Sequence, residues 1–281
     1  MRCHYRETKY LCGDYMEVLI YPVYISSTAK LRGRRATPTS EARQKINDKK
    51  SENKMIRLAN RNFTNHDLKI ELTYSPQHNP ETDEEAARQL TCYLRRVKRF
   101  RKRNNLPELK YIATTERGAL KGRYHHHLIM NGGIELFDLV KLWGLGIVGT
   151  DLLMFDENGI ASLAKYMMKQ ARELPGKKKY TRSKNLIDPE VRQSDHRFSQ
   201  RQVKELAKDP EDHAPYEKLY EGYYVSGNAE TFYNDETGGV YLHIRLYSKE
   251  AEWCRQGTRR MNRARSSNGR RSQKGSIPNS A

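Results

Sequence analysis

Imidazole and carboxylate side chains hold divalent metals, and one short stretch of this chain brings both types together. His125, His126 and His127 run consecutively, shortly after Glu116. The surrounding pattern reads as two strands, Leu109 to Arg117 and Tyr124 to Met130. The loop Gly118 to Arg123 joins them, and Asn131-Gly132-Gly133 ends the second. Side chains alternate faces along a strand, so His125 and His127 share a face and His126 points to the other. A hairpin can set Glu116 directly opposite His125, close enough to touch. On its own, His-x-His on a strand is a solvated or hydrogen-bonded pair. Glu116 at the matching register supplies a third ligand and favours a metal.

A second set lies further along, in IASLAKYMMKQAR, a helix expected from about Ile160 to Arg172. Tyr166 and Lys169 are three apart on one face, and Lys165 and Lys169 are four apart. A tyrosine on a helix is usually packing material and nearby lysines are usually solvated. Two cations beside it would also favour the phenolate and stabilise charge on a phosphate under attack. Beside a metal patch, Tyr166 is therefore a candidate nucleophile.

These groups need a scaffold. LKIELTYSP (68–76) alternates and stops at Pro76, as a strand does. Thr82 and Glu85 form a capping box, opening a helix to about Arg103 with Ala86, Leu90, Leu94 and Val97 as its apolar stripe. A short helix (134–143) and a strand (146–155) separate the central hairpin from the tyrosine helix. The order strand, helix, strand, strand, helix, strand, helix predicts an α+β domain over 68–173. Its expected form is an antiparallel sheet with helices packed on it, in ferredoxin style.

The charge balance points to a polyanion. Among 281 residues the net charge is +18, which favours nucleic acid or an acidic membrane surface. Seven basic residues crowd the end of the second helix: Arg95, Arg96, Lys98, Arg99, Arg101, Lys102 and Arg103. One or two suffice to complement a helix C-terminus, so the excess, with Arg123 in the hairpin loop, is expected to contact DNA phosphates. No stretch has the apolar length of a membrane span, and MRCHYRETKY has no apolar leader core. Four scattered cysteines, Cys3, Cys12, Cys92 and Cys254, fit a reducing compartment, so a cytoplasmic location is expected.

The flanks carry less signal. Residues 1–67 read as a basic extension, with EVLIYPVYI as an edge strand broken by Pro22, a basic link at 30–35 and a solvated helix from Ser40 to about Asn62. Residues 174–254 read as a small α/β extension, suited either to recognising DNA or to a purely structural role. From Arg255 to Ala281 there are eight basic residues and no acidic ones. That tail is expected to be disordered and to add sequence-independent affinity for DNA.

Taken together, LTYS at 72–75, Glu116 with the three histidines, and a YxxK helix resemble the HUH endonucleases. More narrowly, they are similar to the rolling-circle replication initiators of small bacterial plasmids and single-stranded DNA phages. The resemblance covers roughly 68–173. It implies that His125 and His127 bind Mg or Mn with help from Glu116, and that Tyr166 attacks a DNA phosphate. Lys169, with Lys165 nearby, would position or stabilise the reacting groups, and Thr73 and Tyr74 fall in the first family motif. The residue between the paired histidines is usually aliphatic, and here it is His126. Positions 167–170 are Met, Met, Lys and Gln, so a second tyrosine one turn on is absent and one nucleophile per chain is implied. The implied product is a 5′-phosphotyrosine link on origin DNA and a free 3′-OH that primes a host polymerase. No G-x-x-x-x-G-K-[ST] sequence is present, so a host helicase is also implied.

Three other readings fit parts of the pattern. An HUH relaxase or transposase would use the same nucleophile on a different DNA site. Two histidines and a carboxylate also serve Zn hydrolases and non-haem Fe(II) enzymes, which leaves the charge and Tyr166 unexplained. A non-catalytic DNA- or RNA-binding module would make the histidines incidental, and cleavage separates it from the first two.

Overall fold

The computed structural model describes residues 3–24, 41–118, 122–155, 159–171, 179–235 and 237–251. The basic link at 30–35 and the tail from Arg255 lie outside them. The chain opens with β1 (Cys3–Cys12), β2 (Tyr15–Tyr24) and α1 (Glu41–Asn62). Then come β3 (Leu68–Tyr74), α2 (Asp83–Arg103), β4 (Tyr111–Arg117), β5 (Tyr124–Met130) and α3 (Leu136–Trp143). They are followed by β6 (Gly146–Leu152), α4 (Ala161–Ala171), β7 (Thr181–Arg182) and β8 (Glu190–Ser194). The last elements are α5 (Gln200–Leu206), α6 (Ala214–Leu219), β9 (Tyr223–Val225), β10 (Glu230–Asn234) and β11 (Gly239–Ser248).

The fold is α+β, with two antiparallel sheets and helices packed on them. The central sheet has the order β6-β3-β5-β4-β7. Its first four strands, β3, β4, β5 and β6, are arranged as in a ferredoxin-like split β-α-β unit. One face carries Ile70, Leu72, Tyr74, Leu128 and Met130, which pack on Ala86, Leu90, Tyr93, Leu94 and Val97 of α2 and on Leu139 and Trp143 of α3. Thr82 starts α2 by accepting from the Glu85 amide at 3.2 Å. The reciprocal half of the expected capping box is missing, because the Glu85 carboxylate takes the amide of Glu81 instead.

The flanks do not form two independent appendages. β1 and β2 from the N-terminal flank and β8 to β11 from the C-terminal flank build one six-stranded sheet, β10-β11-β2-β1-β8, with β9 also on β11. β2 lies inside this sheet rather than at its edge. β11 pairs with it only from Tyr15 to Ile20, so Pro22 sits on the overhang where only β1 needs a partner. That is where a residue without an N–H is tolerated.

α1 and α4 fill the layer between the two sheets. Met55, Ile56, Leu58 and Ala59 of α1 and Ala161, Ala164, Met167 and Met168 of α4 pack with Ile112 and Ile129 of the central sheet and Tyr15 and Tyr247 of the second. The expectation of a solvated helix at 40–62 therefore holds for the exposed stretch Gln44–Asn47 and fails for the C-terminal half, whose apolar residues are fully buried. The outer face of the second sheet is covered by Val203 and Ala207 at the end of α5 and by Tyr216 of α6. Among the described residues no helix is long and apolar enough to cross a membrane.

Candidate active site

The hairpin β4–β5 has the register that the sequence suggests, with Glu116 opposite His125 and Thr114 opposite His127. On the other side of β5, Thr73 lies across from His125 and Glu71 from His127. One face of three strands therefore carries Glu71, Thr73, Thr114, Glu116, His125 and His127. α4 lies over this face, and the edge of the Tyr166 ring meets His127, with centroids 5.4 Å apart and planes at 80°. Helical periodicity explains the placement. Ala164, Met167 and Met168 turn into the core, which leaves Tyr166, 45% exposed, on the open side of the helix.

His127 is the buried centre of the group, with its side chain 2% exposed. Its Nε2 is 3.2 Å from Glu116 Oε1, and its Nδ1 is 4.0 Å from Glu71 Oε2. Neither ring nitrogen has a hydrogen-bond partner among the described residues, and the same holds for Glu116 Oε2 and Thr114 Oγ1. Such buried, unsatisfied atoms are costly unless something else completes them. His125 is more open. Its Nδ1 lies 3.2 Å from Thr73 Oγ1 and 3.8 Å from Glu71 Oε1. Among the described residues, no three His, Cys, Asp or Glu side chains are already arranged as a metal-holding set.

His126 plays a different part. It points into the α2 side of the sheet, where Tyr74 Oη meets its Nε2 at 2.7 Å and Thr115 Oγ1 meets its Nδ1 at 2.8 Å. Burial, with His127 and His125 beside it, pushes its pKa down to about 3. Both nitrogens are used, so His126 is a neutral structural residue. Thr73 and Tyr74 thus act as a pair, each meeting a histidine of β5 on its own side of the sheet.

Three sequence expectations change here. Arg101 does not face solvent: it is 1% exposed and donates to the carbonyls of Pro107, Asn131 and Gly132 at 2.6 to 3.0 Å. Arg96 donates to the carbonyls of Leu142 and Trp143, closing the end of α3. Arg95, Lys98, Arg99, Lys102 and Arg103 are exposed, but α2 lies on the opposite face of the sheet from Tyr166. Its basic end also meets Asn131 and Gly132, beyond the Met130 end of β5 and away from His125. The charge stripe therefore does not line the candidate site. Lys165 also turns away from Tyr166. It lines a cavity with Glu230 and Arg245 of the second sheet. Lys169 is exposed on α4, and Arg123 is half-exposed at the foot of the hairpin, where its carbonyl accepts from the Gly118 amide at 2.8 Å.

Glu71 is the residue that sequence reasoning missed. The alternation in LKIELTY already puts it on the face of Thr73, and only the pairing of β3 with β5 reveals that it stands across from His127.

Residues 67–171 match the family model of the ORF2-type replication-associated proteins. The matched stretch runs from just before β3 to the end of α4, so it holds Glu71, Thr73, Glu116, the three histidines and Tyr166, and excludes the second sheet. No curated protein and no solved structure matches the chain.

Proposed function

We propose that this protein initiates replication by nicking single-stranded origin DNA, with Tyr166 as the nucleophile. The carrying observation is that Tyr166 stands on His127 while His127 touches Glu116, all inside the stretch that resembles replication-associated proteins. The donor set suits a divalent cation. His127 and Glu116 are 3.2 Å apart and carry buried atoms without hydrogen-bond partners, and His125 shares their face. His127, Glu116 and His125 would hold Mg or Mn, which would polarise the scissile phosphate and neutralise charge developing on it.

The chain's own residues supply the rest. Thr73 orients His125, and the edge of His127 fixes the ring of Tyr166. The phenol oxygen forms the new bond to phosphorus and its proton passes to solvent. The 3′-oxygen leaves with the bonding pair and takes up a proton, giving a free 3′-OH and a 5′-phosphotyrosine. Lys169, one turn along the exposed side of α4, offers positive charge to the phosphate oxygens. The phosphodiester energy is kept in the tyrosine ester for later rejoining. A host polymerase extends the 3′-OH and a host helicase opens the duplex.

The test is a denaturing gel of labelled single-stranded DNA from the protein's own replicon, incubated with the full chain and Mn or Mg. The expected result is a metal-dependent protein–DNA adduct that disappears in Tyr166→Phe and in His127→Ala. Binding without cleavage under every metal would sink the proposal, and an adduct that survives Tyr166→Phe would move the nucleophile to another tyrosine.

A further inference from the structure

One polar cavity lies beside α4 and outside the group described above. It has a volume of about 280 Å³ and sits between the first turns of α4 and the second sheet. Ser162 and Lys165 line it from α4, Ser226 and Asn228 from the loop after β9, Glu230 from β10 and Arg245 from β11. Three independent features favour an anion there. The first-turn amides of a helix have no acceptor within it and lie at the positive end of its dipole, so they attract phosphate. Arg245 is only 8% exposed, yet its Nε has no hydrogen-bond partner among the described residues. Its Nη2 lies 2.9 Å from Glu230 Oε1, an ion pair that leaves part of the guanidinium fork unused. Lys165 completes the set. Partial burial lowers its pKa, and Arg245 and Lys49 add to that effect, the mark of a cation crowded by other cations. Glu230 does not cancel them, because its carboxylate is also engaged by His243 at 3.2 Å.

We propose that this cavity binds a backbone phosphate of the DNA strand, one helical turn before the phosphate attacked by Tyr166. Ser162 and Tyr166 are four residues apart on α4, about 6 Å along the helix axis, so one strand can reach both. The second sheet then has a task, since it brings Arg245 and the 226–228 loop to the helix that carries the nucleophile. The inference rests on the nicking reading, and it is tested by binding so that the two can fail separately.

The measurement is the affinity of full-length Tyr166→Phe protein for a labelled oligothymidylate, by fluorescence anisotropy over a series of salt concentrations. Lys165→Gln and Ser162→Asp are introduced into this background, with Lys204→Gln on α5 as a charge-matched control. Ser162→Asp places an anion in the cavity, while an acidic residue suits the first helical turn and preserves the fold. Each cavity variant is expected to bind about three- to tenfold more weakly, and Lys165→Gln to reduce the slope of log K against log salt by about one. Lys204→Gln is expected to leave the slope unchanged. Unaltered affinity and slope in both cavity variants would overturn the site and leave the nicking reading intact. Equal losses in Lys165→Gln and Lys204→Gln would reduce the effect to diffuse charge and also overturn it. No DNA binding by any form would remove both proposals.

Discussion

Glu116 and His127 approach to 3.2 Å although they are not register partners, since Glu116 is paired with His125 across the hairpin. The diagonal contact pulls the carboxylate inward, to the buried histidine under Tyr166. Glu116→Gln keeps the shape of this contact and removes its charge. It is expected to lower metal-dependent cleavage by about a hundredfold or more, with the thermal unfolding midpoint little changed. Initial rates over a Mn titration check this, and full activity at ordinary Mn would assign Glu116 a structural role.

His126 and His127 are neighbours with opposite tasks. Replacing His126 by alanine leaves the Tyr74 and Thr115 hydroxyls without their partners in a closed core, at an expected cost of about 2–4 kcal/mol. His127→Ala removes atoms that already lack partners, so it is expected to cost less stability and to remove cleavage. Urea unfolding of both variants distinguishes the two roles.

Arg101 and Lys102 form a similar contrast on α2. Arg101→Met strips the donors from three backbone carbonyls and is expected to destabilise the protein by about 3 kcal/mol. Lys102→Met is expected to leave stability within about 0.5 kcal/mol of wild type. Equal unfolding midpoints for the two variants would contradict the capping role of Arg101.

The second sheet has its own pH signature. Burial would raise Glu17, but hydrogen bonds from Arg57 and His243 outweigh it and bring its pKa down to about 2. Arg57 donates to both carboxylate oxygens at 2.6 and 2.7 Å. A carboxylate held low in the folded state adds stability above its unfolded pKa of about 4.5. That stability, of order 3 kcal/mol for a shift to about 2, is expected to drain away as pH falls from about 4.5 towards 2. Glu17→Gln should be less stable at neutral pH and should show a flatter dependence through that window. Parallel curves for wild type and variant would refute the assignment.

The central sheet was legible because each strand follows simple rules. Alternation in LKIELTY and the breaker after Met130 mark its edges, and the spacing of Glu116 and His125 sets its register. The second sheet was not, for two physical reasons. Its strands pair across long sequence distances, as Leu242 does with Ile20. Its inner face is also lined by Glu17, His243 and Arg245, polar residues that resemble a solvated surface until Arg57 and Glu230 neutralise them. The basic run on α2 misled in the opposite way. Seven charges look like one surface in sequence, while the helix distributes them among a buried cap, a second helix end and solvent.

β11 carries a further consequence, for the order of assembly. Its Tyr247 rests against Gly159 just ahead of α4 and donates to Asn60 of α1 at 3.1 Å. Gly159, at φ +62°, leaves no room there for a Cβ. The helix bearing Tyr166 is thus braced by a strand synthesised long after it. During translation the split β-α-β unit can collapse early through local contacts, while β1 and β2 wait as a hairpin with an unpaired edge. The nucleophile is seated only when that late strand arrives, so a nascent or prematurely terminated chain would hold its chemistry in check.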